Sequence, residues 1–167
     1  MYSHRDLCVL AASWLLSQPW CDLTCWEMRY RKGVVDAIGI SSSMRAKDRR
    51  VVAVEVKRTR ADLLQDLRAQ KLLKYERGSS HCYLAATPEA LCLDKGKAHV
   101  LKDLTTKGLP KHWGILVLGE KPYVLRNPRR INTIQPATIA ALNRKIAKSF
   151  CYRVLGDRFN SKLLGQL

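Results

Sequence analysis

Apolar and polar residues alternate along the chain with two periods, which separate predicted strands from predicted helices. In chain order, the predicted elements are a helix over 3–16, strands over 24–30 and 33–40, a polar loop over 41–50, a strand over 51–57, a helix from about 59 to 77, strands over 82–86, 114–119 and 122–126, and an amphipathic basic helix over 136–148. Gly78 is placed to end the second helix in the left-handed conformation, and residues 89–111 have no clear pattern. This order predicts one α/β domain over 1–167, a mixed sheet flanked by helices.

The segment VVAVEVK, residues 51–57, combines a buried-strand pattern with two charges. Residues two apart on a strand share a face, so Glu55 and Lys57 point one way while Val52, Val54 and Val56 point the other. Because the valines fill a core, the two charged side chains are expected to face either solvent or a cleft.

Asp36 lies in the middle of the predicted strand VVDAIGI, which precedes the 51–57 strand across one loop. Carboxylates of Asp36 and Glu55 on adjacent strands would repel each other unless a cation lay between them, and Mg²⁺ favours such oxygen ligands. Lys57 would then stand beside the ion, where it would orient a metal-bound water or help to deprotonate it, and stabilise charge on a phosphate. The alternative for Glu55 and Lys57 alone is a solvent-facing ion pair.

The helix after this strand places Leu63, Leu64, Leu67, Lys71 and Tyr75 on one side, at 100° per residue. A lysine inside an apolar stripe suggests that Lys71 and Tyr75 reach a site and contact phosphate. The alternative is that Lys71 extends from the edge of the stripe while Tyr75 packs in the core.

Charge narrows the class of partner. The 167 residues include 30 Lys and Arg against 14 Asp and Glu, a formal net charge of +16, which points to a polyanion and most directly to nucleic acid. No apolar run approaches the ~20 residues of a membrane span, and Asp6 in the starting segment, paired with Ser3 as a capping box, argues against a signal peptide.

The six cysteines contain no CxxC pair. Cys21, Cys25, His81 and Cys82 are possible metal ligands, but reduced thiols are the favoured interpretation. These features favour a cytoplasmic protein, nucleoid-associated as an alternative, that is not secreted.

These residues together resemble the PD-(D/E)XK nuclease superfamily. Within it, EVKRTRADLLQDLRAQKLLKY, followed by HCYLAATPE, PKHWGILVL and YVLRNP, is similar to the MmcB-type DNA repair proteins, and the likeness to Holliday junction resolvases is more distant. The resemblance covers about residues 27–130. It implies a restriction-endonuclease-like α-β-β-β-α-β core in which Asp36, Glu55 and the Val56 carbonyl bind Mg²⁺, or Mn²⁺ as a substitute, with Lys57 catalytic. Glu27 matches an additional acid of the superfamily, or is a surface strand residue.

Two residues depart from the superfamily pattern. Val35 precedes Asp36 where the family name has proline, and Lys71 stands where recombination-type members carry glutamine. The implied activity is DNA hydrolysis in repair, recombination or phage-type DNA processing, endonuclease rather than exonuclease, on branched DNA if structure-selective, by a possible homodimer. The alternatives are a non-catalytic DNA-binding protein of the same fold, a ribonuclease or RNA-binding protein, and an interaction protein whose basic face binds an acidic partner.

Basic residues around the predicted site are candidates for contact with the nucleic acid backbone. Those next to the 51–57 strand and on the following helix are Arg58, Arg60, Arg68 and Lys74, and those on the preceding loop are Arg45, Lys47, Arg49 and Arg50.

Overall fold

In the computed structural model, which describes residues 2–30 and 33–155 and leaves out the side chains of 151–155, six strands form one mixed sheet. The strands are β1 Leu23–Tyr30, β2 Gly33–Ser41, β3 Arg50–Lys57, β4 His81–Ala86, β5 Gly114–Val117 and β6 Tyr123–Arg126. The helices are α1 His4–Leu16, α2 Arg60–Arg68, α3 Pro88–Leu91, α4 Lys97–Thr106 and α5 Pro136–Leu155, with 3₁₀ helices at Lys71–Gly78 and Leu93–Lys95. The predicted α/β class is confirmed.

The strands lie in the sheet in the order in which they occur in the chain. The pairs β1–β2, β2–β3 and β5–β6 are antiparallel, whereas β3–β4 and β4–β5 are parallel. Parallel neighbours require a crossover connection, and the helical segments after β3 and after β4 supply the two that this sheet needs.

Helices cover both faces of the sheet. One face packs against α1, whose buried residues Leu7, Ala11 and Leu15 contact the side of β3 that carries its three even-numbered valines. Gly39 of β2 allows this close approach, because an added Cβ would lie 3.3 Å from Leu15 and 3.1 Å from the Cys21 sulfur. The other face packs against α2, α4, α5 and the first 3₁₀ helix.

The predicted helix over 59–77 is not continuous. It is capped by the Thr59 side chain as expected, but it ends at Arg68, and Gln70 adopts a left-handed conformation with φ of 50°. A 3₁₀ helix follows, in which residues three apart share a face, and its buried residues are Leu72, Tyr75 and Gly78. The helix is thus interrupted at Gln70. Gly78, the predicted end, does not have a positive φ.

The remaining differences lie at element ends and in the segment without a clear pattern. Residues 89–111 contain α3, a short 3₁₀ helix and α4, with Val100 and Leu104 buried. The C-terminal helix is confirmed but extends to Leu155, and its Ile139, Leu142 and Ile146 are buried as the pattern required. Within the described part of the chain, no helix is both long and apolar enough to cross a bilayer.

Candidate functional site

In β1 and β2 the alternation of side chains between the two faces of the sheet is interrupted at the same level. Cys25 and Met28 of β1 both belong to the core beneath α2 and α5, although strict alternation would put them on opposite faces. Val35 and Ile38 of β2 repeat this behaviour. The strands are therefore locally irregular, a device that re-aims side chains next to functional sites.

Glu27 and Asp36 occupy the irregular position. The β1–β2 register passes from the pair Trp26–Ala37 to the pair Met28–Val35, so Glu27 and Asp36 lie opposite each other at a level where the ladder has no pair. Glu27 is exposed and has a φ of 46°, a conformation that residues other than glycine adopt at an energetic cost. The predicted upstream acid thus lies beside the predicted metal ligand.

Asp36 is turned toward the end of β3 instead of pointing squarely out of the sheet. The β2–β3 ladder ends at the pair Ala37–Val54, and the backbone N–H of Val56 donates to Asp36 Oδ2 at 2.7 Å. The other oxygen, Oδ1, lies 3.5 Å from Nε2 of His4 on α1. Burial, together with the charge of Glu55, raises the pKa of the Asp36 carboxyl to about 6.

Glu55 and Lys57 form the centre of a buried ion-pair network. Each is 6% exposed, so this face of β3 points into an enclosed site and not toward open solvent. Lys57 Nζ lies 2.9 Å from Glu55 Oε1 and 2.5 Å from Oδ2 of Asp66 on α2. Asp66 Oδ1 in turn lies 3.2 Å from Lys71 Nζ.

The network fixes the charge of its members. Burial alone would lower the pKa of the Lys57 ammonium, but the Glu55 and Asp66 carboxylates outweigh burial and raise it. Burial would likewise raise the pKa of Asp66, yet its hydrogen bond and ion pair with Lys57 hold it below the usual value. Lys57 is therefore a permanent cation at neutral pH.

Lys71 and Tyr75 lie as in the second of the two arrangements that the sequence left open. The Lys71 side chain is half exposed, at 52%, and forms an ion pair with Asp66. Tyr75 is fully buried and its hydroxyl donates to the Val34 carbonyl at 2.6 Å, so it packs in the core.

One oxygen of Glu55 competes with the Val34 carbonyl for the proton of the Tyr75 hydroxyl. The hydroxyl lies within hydrogen-bonding reach of the Glu55 carboxylate, and burial, the Glu55 charge and this contact together raise the pKa of the phenol. Its single proton, however, goes to Val34, and Glu55 Oε2 is buried without a hydrogen bond to any described residue. A buried carboxylate oxygen in that state is costly unless another group binds it.

The oxygen atoms at this end of β2 and β3 are of the types that a hard divalent cation binds. Asp36 Oδ1 and the orphaned Glu55 Oε2 are carboxylate donors. Val56 adds a carbonyl, because the N–H and C=O of one strand residue point to the same side and its N–H faces Asp36. Two carboxylates and a carbonyl are the ligand types that Mg²⁺ takes in proteins, so the predicted ligand set is chemically suited to it.

Five of the eight residues predicted to contact nucleic acid are exposed, and they lie in three places. Arg58, which follows β3, and Lys74, whose Nζ lies 4.6 Å from the centre of the Tyr75 ring, are exposed at the site end of the sheet. Arg45 and Lys47 are exposed on the loop at the other end of β3, about 17 Å away at the rise of a strand. Arg68 is exposed on the last turn of α2.

The other three residues predicted to contact nucleic acid are half-buried and have partners within the protein. Arg49 donates to the Ile134 carbonyl at 2.8 Å, and Arg50 lies over the Trp20 ring, 5.3 Å from its centre. Arg60 forms an ion pair with Asp103 of α4. These three side chains therefore contact other parts of the protein.

Three residues near the site were not predicted from the sequence: Asp66, His4 and Cys8. Asp66 had a signal, because it lies three residues after Leu63, on the side of α2 that is buried, where a lone carboxylate needs a partner. His4 and Cys8 had none, since their approach to Asp36 depends on how α1 packs across the sheet.

The described cysteines Cys8, Cys21, Cys25, Cys82 and Cys92 are free thiols, as expected, and Cys25 does not join Cys82 in a cluster of ligands. Cys151 lies outside the described side chains.

No protein-family model and no curated protein matches the sequence. A solved structure does resemble it: the SPO1766 protein of unknown function from Silicibacter pomeroyi, with a TM-score of 0.63 at 18% sequence identity over 95% of this chain and 92% of that chain. At this identity the similarity supports the fold, with its mixed sheet between helices, and says nothing about activity.

Proposed function

We propose that the chain is a Mg²⁺-dependent deoxyribonuclease of the PD-(D/E)XK type, with Asp36 and Glu55 as metal ligands. The observation that carries the proposal is the buried Glu55 Oε2, which forms no hydrogen bond to a described residue because the nearby Tyr75 hydroxyl donates to Val34, and which lies at the same end of the sheet as the Asp36 carboxylate and Lys57. The element order α-β-β-β-α-β of the first half of the chain agrees with such a core.

Asp36, Glu55 and the Val56 carbonyl would hold the ion. When bound, Mg²⁺ supplies Lewis acidity, which lowers the pKa of a coordinated water and withdraws charge from a phosphate. The Val56 N–H orients the Asp36 carboxylate through its bond to Oδ2, and Lys57 orients the Glu55 carboxylate through its bond to Oε1. Both ligands are thus held by second partners that belong to the chain.

Lys57 acts as a fixed cation, not as a general base. A lysine that accepts a proton must first lose one, and the two carboxylates beside it raise its pKa. Glu55 and Asp66 account for two of its three N–H donors. The third is available to orient a water molecule or to stabilise negative charge that develops on a phosphate.

DNA would approach the site end of the sheet. The exposed Arg58 and Lys74 lie there, and the half-exposed Lys71 is added through its contact with Asp66. A net charge of +16 provides attraction to the phosphate backbone that does not depend on sequence. We further propose a homodimer, whose two sites would suit branched DNA.

A non-catalytic DNA-binding protein of the same fold is the second candidate, and one observation favours it. Glu55, Lys57, Asp66 and Lys71 form a continuous chain of ion pairs, which is also what a purely structural network looks like. It predicts salt-dependent DNA binding without cleavage. A ribonuclease is the third candidate and predicts cleavage of RNA alone.

A substrate panel separates the candidates. Purified protein is incubated with plasmid, single-stranded, branched DNA and RNA, in Mg²⁺, in Mn²⁺ and in chelator, alongside the variants Lys57→Ala and Asp36→Ala. Cleavage of DNA that requires the metal and is lost in both variants supports the proposal. Binding without cleavage by the unaltered protein favours the second candidate, and unchanged cleavage in both variants shows that the active site lies elsewhere.

A further inference from the structure

α1 brings two donors of a different chemical kind to Asp36. His4 and Cys8 are one helical turn apart and therefore lie on the same face of α1. That face is directed at β2, so His4 Nε2, Cys8 Sγ and an Asp36 oxygen all lie within 4.8 Å of one another. No other group of three such donors occurs among the residues that the structure describes.

Two of the three distances between these atoms match those around a tetrahedral zinc ion. With metal–ligand bonds of about 2.3 Å to sulfur and 2.0–2.2 Å to nitrogen and oxygen, neighbouring ligand atoms lie about 3.4–3.6 Å apart. His4 Nε2 is 3.4 Å from Cys8 Sγ and 3.5 Å from Asp36 Oδ1, and Cys8 Sγ lies within 4.8 Å of an Asp36 oxygen. The three atoms are thus close enough together to bind one ion.

We propose that His4, Cys8 and Asp36 form a binding site for a borderline divalent metal ion of the Zn²⁺ class. A thiolate and an imidazole select such ions over Mg²⁺, which prefers oxygen. The Val56 N–H holds Asp36 Oδ2, and this leaves Oδ1 turned toward His4. The His4 side chain is 45% exposed, which gives the ion an entry path and leaves a fourth position for water.

Binding requires the Cys8 thiol to release its proton to solvent. Burial and the Asp36 charge raise the pKa of this thiol to about 12. Coordination replaces the proton on sulfur by the metal.

The site has a regulatory consequence that rests on the proposed nuclease activity. Asp36 Oδ1 cannot serve both ions in full, so a Zn²⁺-class ion bound with His4 and Cys8 would withdraw Asp36 from the Mg²⁺ site. Such an ion would act as an inhibitor of cleavage.

Titration of the metal-free, full-length protein with Co²⁺ tests the site without reference to cleavage. We expect one equivalent to give an intense near-ultraviolet thiolate-to-cobalt band that Zn²⁺ abolishes. Cys8→Ser should remove the band, and His4→Ala should weaken Co²⁺ binding more than about tenfold, since loss of an outer-shell partner alone often does as much. The matched controls Cys92→Ser and His99→Ala should leave the titration unchanged, and circular dichroism should show that each variant is folded.

Absence of the band in the unaltered protein, or an unchanged band in Cys8→Ser, would overturn the proposal. His4 is the exposed first residue of α1, so His4→Ala gives a second decision if Cys8→Ser does not fold. Zn²⁺ inhibition is scored as the ratio of cleavage with and without the ion for each protein, and His4→Ala should be the less inhibited. If no protein cleaves DNA, the nuclease proposal fails while the Co²⁺ titration still decides this one.

Discussion

The charge of Lys57 compensates two buried carboxylates. Its ammonium lies between the carboxylates of Glu55 and Asp66, and its side chain is 7% exposed. Replacement by methionine would remove the cation that lies between two buried carboxylates, and only Asp66 would keep an ion pair, with the half-exposed Lys71. We expect Lys57→Met to lower the free energy of unfolding at pH 7 by about 3–5 kcal/mol, measured by urea denaturation.

The pH dependence of the same variant checks this explanation, because protonation of Glu55 and Asp66 removes the repulsion between them. The loss of unfolding free energy in Lys57→Met should become smaller as the pH falls toward 4, where carboxylates become neutral. Lys71→Met is the matched control, since Lys71 contacts Asp66 from a half-exposed position, and it should cost less than about 1 kcal/mol. Equal losses in the two variants would show that Lys57 is not the cation on which the network depends.

Replacement of Asp36 should change the stability in the opposite direction to replacement of Lys57. Its pKa is raised from 3.8 to about 6, so the folded protein holds the proton over a window in which the unfolded chain has lost it. Stability in the absence of metal therefore falls as the pH rises through that window. Asp36→Asn, which keeps an acceptor for the Val56 N–H, should be more stable than the unaltered protein at pH 8, by about 2 kcal/mol.

The comparison is made by thermal or urea unfolding in chelator between pH 3 and pH 8. The difference should vanish at the acid end, where Asp36 is protonated in both states. Burial lowers the pKa of His81 to about 4, which makes stability rise with pH over a similar range, but His81 is present in both proteins and cancels from the difference. A variant less stable than the unaltered protein at pH 8 would contradict this account of Asp36.

At the scale of elements, the break between α2 and the 3₁₀ helix depends on Gln70. A left-handed conformation costs a residue with a Cβ about 1–2 kcal/mol and costs glycine almost nothing. Gln70→Gly should therefore raise the free energy of unfolding or leave it unchanged, despite the greater freedom of glycine in the unfolded chain.

The same substitution inside the preceding helix provides the control. Gln65 is exposed in the interior of α2, so Gln65→Gly should destabilise the protein by about 1 kcal/mol. Chemical denaturation of both variants measures the difference, and equal losses at the two positions would argue against the break.

Local patterns in the sequence predicted the strands well and the second helix poorly. Alternation alone placed Val52, Val54 and Val56 against one core, because a strand with two covered faces leaves little choice of register. No residue between Arg68 and Lys71 is a helix breaker, so the turn at Gln70 follows from the burial of Leu72 and Tyr75, a tertiary effect. The same effect moved Lys71 out of the apolar stripe.

The sequence predicted only those parts of the candidate site that depend on adjacent strands. Asp36, Glu55 and Lys57 could be placed together because adjacent strands bring them together. The irregular strand positions at Glu27 and Asp36, and the approach of His4 to Asp36, depend on packing between distant segments that no local pattern records.

At the scale of the whole molecule, a net charge of +16 would dominate the proposed interaction with nucleic acid. If the exposed Arg58 and Lys74 contact phosphates at the site, then Arg58→Ala and Lys74→Ala should each weaken DNA binding and reduce the slope of log affinity against log salt by about 1. Fluorescence anisotropy at several salt concentrations measures both quantities.

Arg45→Ala and Lys47→Ala provide the comparison, because they remove the same charges from the far end of β3. We expect a smaller change in slope for these two variants. A larger effect at the loop would place the DNA away from Glu55 and contradict the proposed approach.

The central claim is that Glu55 and Asp36 bind the ion that drives DNA hydrolysis, and cleavage by Glu55→Gln tests it most directly. The substitution keeps the shape of the side chain and removes its charge, while Asp94→Asn makes the same kind of change at an exposed position outside the site. With Mg²⁺ and the DNA that the unaltered protein cuts, we predict that Glu55→Gln loses cleavage by at least about a hundredfold and that Asp94→Asn retains it. Retention of full Mg²⁺-dependent cleavage by Glu55→Gln would contradict the account.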